Sequence, residues 1–147
     1  MDLVAAVLVL LVAGSSVYAA LVIVAARQYL AACRRTQPAS TFPPISILKP
    51  LSGLDEGLEE NLRSYFAQDY PNFEILCAVR NASDPAAAVF EKLRVEYPGV
   101  PARLIVTGEP PYANAKVFAL DSMLAAARYD LLVMTDSDTR ARPDLLR

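Results

Sequence analysis

The 147-residue chain is 54% hydrophobic, carries a net charge of −2 and has a mean hydropathy of +0.30. That excludes a disordered chain and is too apolar for an average soluble domain. The absence of histidine removes His metal sites, His acid–base catalysis and a Ser-His-Asp triad, and the scattered positive charges give no nucleic-acid patch.

The apolar excess sits at the N-terminus. Residues 3–26 carry no charge, and only Ser15, Ser16 and Tyr18 interrupt the run. At about 1.5 Å per residue, such a helix crosses a hydrocarbon core of about 30 Å. A cleaved signal peptide is the competing reading, but it wants a basic start and a shorter apolar stretch. Met1-Asp2 and the length of the run favour a transmembrane anchor over residues 1–27. Arg27, Arg34 and Arg35 follow the run while Asp2 precedes it, so the remainder is expected to be cytoplasmic. The Pro-rich stretch "RRTQPASTFPP" then reads as part of a juxtamembrane linker, residues 28–44. Cys33 is a free thiol or an acylation site beside the membrane; Cys77, inside an apolar run, is a small core residue. The two give neither a metal spacing nor a disulfide framework.

From residue 45 strand and helix patterns alternate. "ISILKPL" (45–51) is a strand stopped by Pro50, and "GLEENLRSYFAQ" (57–68) is a helix with Leu58, Leu62 and Tyr65/Phe66 inward and Asp55 as its N-cap. "FEILCAV" (73–79) is a strand. "DPAAAVFEKLRVEYP" (84–98) is a helix capped by Asp84 with Pro85 in its first turn. "ARLIV" (102–106) is a third strand. "NAKVFALDSMLAAAR" (114–128) is a helix with Val117, Leu120, Met123/Leu124 and Ala127 inward, and "DLLVMTD" (130–136) is the fourth strand. This order predicts an α/β fold with a parallel, Rossmann-like sheet, in which ligands bind beyond the carboxyl ends of the strands.

That rule selects Lys49 after the first strand, the Arg80–Asp84 loop after the second, and Asp136–Asp138 after the fourth. On an extended chain Asp136 and Asp138 face one way and Ser137 the other, so a cation would relieve their repulsion. Carboxylate oxygens suit Mg2+ or Mn2+, which leave positions for phosphate oxygens and neutralise a leaving diphosphate. An ordinary Asp-Ser-Asp turn, with Asp138 capping a segment near Pro143, remains the alternative. Asp84 serves equally as a helix cap and as a hydrogen-bonding group for a base or ribose. Lys49 and Lys116 fit either solvent or a phosphate, although a lysine in a first helical turn opposes the helix dipole and so favours an anion nearby.

The stretches "SILKPLSGLDEGLEENLRSYFAQDYPNFEILCAVRNASDPA", "NAKVFAL" and "YDLLVMTDSDTRARPDLL" together resemble the ceramide glucosyltransferases and the bacterial hopanoid-associated glycosyltransferases. The resemblance implies a GT-A fold over residues 45–147. It also implies inverting transfer of a sugar from a UDP-sugar to a lipid hydroxyl at a membrane, with Mg2+ or Mn2+ as cofactor. By position, Lys49, Asp84, Lys116 and Asp136 resemble the nucleotide-sugar-binding residues, and Asp136 with Asp138 the metal grip. Ala115 stands where the family has Pro, and some ceramide glucosyltransferases have Gly at the place of Asp138, so the acceptor, ceramide or hopanoid, stays open.

The family's general base, its Gln/Arg-x-x-Arg-Trp motif and further membrane helices have no counterpart in these residues. The chain is therefore expected to be an N-terminal fragment that is inactive alone, with the base beyond Arg147. Two other readings are a non-catalytic nucleotide-sugar-binding module and a haloacid-dehalogenase-type phosphatase. The latter wants Thr or Val where this chain has Arg140, and its acids on a first strand rather than a fourth.

Overall fold

In the computed structural model the described residues are 2–35 and 41–147. They fall in two compact units, residues 1–38 and 39–147.

The first unit is one helix, α1 (Leu3–Arg35). From Leu3 to Ala32 its apolar side chains are exposed, Ala6 alone being half-buried, and this stretch is long and apolar enough to cross a membrane. Ser16 returns its hydroxyl to the Val12 carbonyl at 2.8 Å, so neither of that residue's polar groups interrupts the apolar surface. The helix continues past Arg27 through residues expected to begin a linker; linker residues 36–40 lie outside the described residues, as do the side chains of Cys33, Arg34 and Arg35.

The second unit alternates β1 (Ile45–Pro50), α2 (Leu58–Phe66), β2 (Phe73–Val79), α3 (Pro85–Glu96), β3 (Ala102–Val106), α4 (Ala115–Ala126) and β4 (Leu131–Met134). The strands form one parallel sheet in the order β3-β2-β1-β4, as the alternating pattern predicts. Strands β1 and β2 are buried on both faces, the habit of central parallel strands. One face carries Ile45, Ile47, Ile75, Cys77 and Val79 against Leu58, Leu62, Tyr65 and Phe66 of α2 and Ala86, Phe90 and Leu93 of α3. The other carries Leu48, Leu76 and Ala78 against Met123 of α4. The helix face expected from Val89, Leu93 and Tyr97 packs on the first of these layers.

Local chemistry explains most boundaries. Asp84 caps α3 by accepting from the Ala86 amide at 2.9 Å, with Pro85 in the first turn as expected. Asn114 caps α4 through Val117 N–H at 3.1 Å. Three expectations are corrected. Asp55 does not cap α2: Gly57, at φ 74°, occupies the cap position, and the Asp55 carbonyl rather than its carboxylate takes the Leu58 amide. Val117 and Leu124 of α4 are exposed rather than inward, because α4 sits over β1 and β2 and covers them with Ala119, Leu120 and Met123. The fourth strand stops at Met134, before Asp136.

Candidate functional site

The chain runs β1 to β2 to β3 in one direction across the sheet, then returns through α4 to place β4 on the far side of β1. This reversal opens a crevice between the loops that leave β1 and β4, at the carboxyl ends of the strands. A cavity of about 590 Å3 lies there. Its wall includes Asp55, Arg80, Lys116, Asp136, Ser137 and Asp138. The acidic pair and Lys116, far apart in sequence, are thus brought together.

Lys116 reaches Asp136 with Nζ 2.5 Å from Oδ1, and both side chains remain about half exposed. Asp138 lines the cavity with no hydrogen-bond or ion-pair partner among the described residues. No cluster of three or more His, Cys, Asp or Glu able to hold a metal exists among the described residues. What Asp136 and Asp138 could offer a cation is carboxylate oxygen alone. This matches a hard cation that keeps most of its coordination for water and phosphate oxygens.

The alternation expected across 136–138 does not hold. The chain leaves extended conformation after Met134 and turns, so Asp136, Ser137 and Asp138 all line the cavity. The Ser137 hydroxyl donates to Asp55 Oδ2 at 2.6 Å, tying the loop after β4 to the loop after β1. Asn61 Nδ2 donates to the Ser137 carbonyl at 3.4 Å from α2.

Lys49 and Asp84 stand elsewhere. Lys49 is fully buried, directly beneath residues 135–139, and is absent from the cavity wall. Its ammonium donates to the Asp136 carbonyl, to Thr139 Oγ1 at 3.2 Å and to Thr135 Oγ1 at 3.3 Å, and lies 4.1 Å from the centre of the Tyr65 ring. Burial pushes its pKa down to about 8, against the attraction of the Asp138 and Asp136 carboxylates, so it is charged at neutral pH. Asp84 Oδ1 holds the Gly53 amide at 3.0 Å as well as the Ala86 amide, and Asp84 is likewise absent from the cavity wall. Its observed work is structural, fixing Gly53, whose φ of 67° turns the loop after β1.

Sequence reasoning missed Asp55 and Ser137 as partners and Thr107 as a wall residue; Arg80, in the loop selected after β2, lines the wall. Thr107 follows β3 directly, so the rule of strand ends that selected the other loops also reaches it. Nothing in the sequence pairs Asp55 with Ser137.

The sequence profile of glycosyl transferase family 21 matches residues 7–147. Ceramide glucosyltransferase 1 of Caenorhabditis elegans is 36% identical over 110 residues, covering 75% of this chain and 24% of the relative. Ceramide glucosyltransferase of Komagataella phaffii is 37% identical over 113 residues, covering 71% of this chain and 22% of the relative. The chain thus spans about a quarter of the length of the curated relatives it matches. Among solved structures, the mannosyltransferase PcManGT of Pyrobaculum calidifontis, in complex with GDP-Man and Mn2+, superposes with a TM-score of 0.61 at 21% identity, over 72% of this chain and 31% of that one. S. aureus TarS 1-349 superposes with a TM-score of 0.57 at 20% identity, over 68% and 29%. At those identities the two structures carry the fold alone: a glycosyltransferase α/β sheet.

Proposed function

The chain belongs to glycosyl transferase family 21, and we propose that it supplies the donor-binding part of a membrane-anchored hexosyltransferase. The reaction is inverting transfer of a sugar from a UDP-sugar to a lipid hydroxyl of ceramide or hopanoid type, in glycolipid synthesis. One observation carries this reading: Asp136, Asp138 and Lys116 converge on one cavity at the carboxyl ends of parallel strands. The curated relatives support the lipid acceptor, and the neighbour with GDP-Man and Mn2+ supports a nucleotide-sugar and a divalent cation.

Residues 1–27 are the anchor, 28–44 the linker and 45–147 the donor domain, on the cytoplasmic side. The charge asymmetry of Asp2 against Arg27, Arg34 and Arg35 supports that orientation. Asp136 and Asp138 would hold Mg2+ or Mn2+. Bound there, the cation supplies Lewis-acid neutralisation of the departing diphosphate. Lys116 moves from Asp136 to a phosphate oxygen, which adds a second positive group on the cavity side. Asp84 contributes by shaping the loop after β1 through Gly53, its remaining lone pairs being open to the nucleoside. No described residue is assigned as the general base.

The phosphatase alternative is not favoured, since the acidic pair follows the fourth strand in chain order and the family match is to a glycosyltransferase. Titration calorimetry on the full chain in lipid nanodiscs, with UDP, GDP and ADP in the presence of Mn2+ and then of EDTA, tests the proposal. UDP binding that requires Mn2+ is expected. Binding indifferent to EDTA, or a preference for another nucleotide, contradicts it.

A further inference from the structure

The underside of residues 135–139 is more elaborately built than a surface turn requires. Lys49 enters from β1, Tyr65 and Asn61 from α2, and all three end on this short loop. The Asp136 carbonyl accepts from the Lys49 ammonium, from Thr139 Oγ1 at 2.7 Å and from the Thr139 amide at 3.3 Å. The Thr139 hydroxyl, having donated its proton, accepts from Lys49 and from the Tyr65 hydroxyl, 2.9 Å away. The knot is built from main-chain groups, hydroxyls, the Asn61 amide and the Lys49 ammonium, with no carboxylate in it. The carboxylates of Asp136 and Asp138 take no part in it: both residues line the cavity, where Asp136 meets Lys116.

We propose that Lys49 is a positioning residue, which holds residues 135–139 from below so that Asp136 and Asp138 face the cavity before any ligand arrives. Two carboxylates close together in a short loop repel, and a neutral buried donor would fix the loop without offsetting that repulsion. A buried ammonium does both. It is also the one group on the underside that reaches both Thr135 and Thr139, the two ends of the segment. Lys49 therefore acts on the donor through the loop and touches no ligand itself. This role replaces the direct contact with the nucleotide-sugar expected of Lys49, and it rests on the donor-site reading above.

The test uses the full chain in lipid nanodiscs, with hydrogen exchange and Mn2+ electron paramagnetic resonance in the presence of UDP. Lys49→Met keeps an unbranched apolar chain beneath Tyr65 but removes the donors. It is expected to speed amide exchange in residues 135–139 by about tenfold or more, and to weaken Mn2+–UDP binding to a similar degree, as the loss of charged hydrogen bonds implies. Exchange across Phe73–Val79 should be unchanged. Thr139→Val removes the same knot from the exposed side and should release the same amides. Should Lys49→Met also lose protection across Phe73–Val79, Thr139→Val decides. Loop exchange and Mn2+ binding both within about twofold of wild type in folded variants would overturn the proposal. Wild-type protein that binds no Mn2+–UDP overturns the donor-site reading, while loop exchange still decides whether Lys49 positions the segment.

Discussion

The two ends of the sheet handle buried charge in opposite ways. At the amino ends of the strands Glu74 is buried and saturated: Ser46 Oγ donates to it at 2.8 Å, the Arg128 amide at 2.7 Å and the Arg103 guanidinium at 3.2 Å. Burial pulls its pKa up, but these donors win and hold it below the usual carboxylate value. At the carboxyl ends the buried charge is the Lys49 ammonium, and the carboxylates of Asp136 and Asp138 stand in the open. A buried carboxylate with three donors joins strands; exposed carboxylates on a loop gripped through its backbone are prepared for something outside the chain.

If that contrast is sound, the two ends must fail differently when cut. Glu74→Ala strands the Ser46, Arg128 and Arg103 donors and should cost about 3 kcal/mol in chemical denaturation, the range for breaking a buried charged network. The folded fraction should still bind Mn2+–UDP. Asp136→Asn is the mirror case: it should leave stability within about 0.5 kcal/mol, as exposed positions do, and weaken Mn2+–UDP binding about a hundredfold by titration calorimetry. Lys116→Gln should weaken UDP by about tenfold through one lost charged hydrogen bond. It should leave Mn2+ binding without nucleotide undiminished, because its ion pair with Asp136 is exposed and contributes little. Asp84→Ala removes a cap and the hold on Gly53, for about 1–2 kcal/mol in thermal or urea unfolding.

The smallest effect is on pH. Burial lowers Lys49 from 10.5 to about 8, so above pH 8 the unfolded chain holds more protons than the folded one, and stability rises with pH. Cys77, whose thiol burial pushes from 9.0 up to about 12, works oppositely from pH 9, because there the unfolded thiol ionises first. A gain in urea midpoint between about pH 8 and pH 9, absent in Lys49→Met, is therefore expected; a flat profile would show Lys49 less desolvated than its surroundings imply.

The strands were legible because each apolar run is bounded by turn residues, and the Asp84 cap because Asp-Pro opens a helix by local chemistry. Properties set by distant residues were not. Lys49 beside Pro50 looks like a solvent or ligand group; it is buried only because Tyr65 and residues 135–139 close over it. Asp55 looks like a cap, yet its carboxylate is drawn to Ser137, across 82 positions of chain. Asp136 and Asp138 were selected by their place after the fourth strand, and there they line the cavity. The alternation argument for their direction failed because pairing with β1 ends at Met134. Likewise the apolar run of β4 reads like β1 and β2, but hydrophobicity does not say what covers it: Leu131 and Met134 are exposed.

Whether the open carboxylates at the carboxyl end of the sheet are a cation-dependent nucleotide site is decided by UDP titration of the full chain in nanodiscs, comparing wild type with the Asp136→Asn, Asp138→Asn double variant at saturating Mn2+. Saturable binding in wild type is expected to vanish in the double variant, with unchanged circular dichroism. Equal UDP affinity in the two proteins would contradict that assignment.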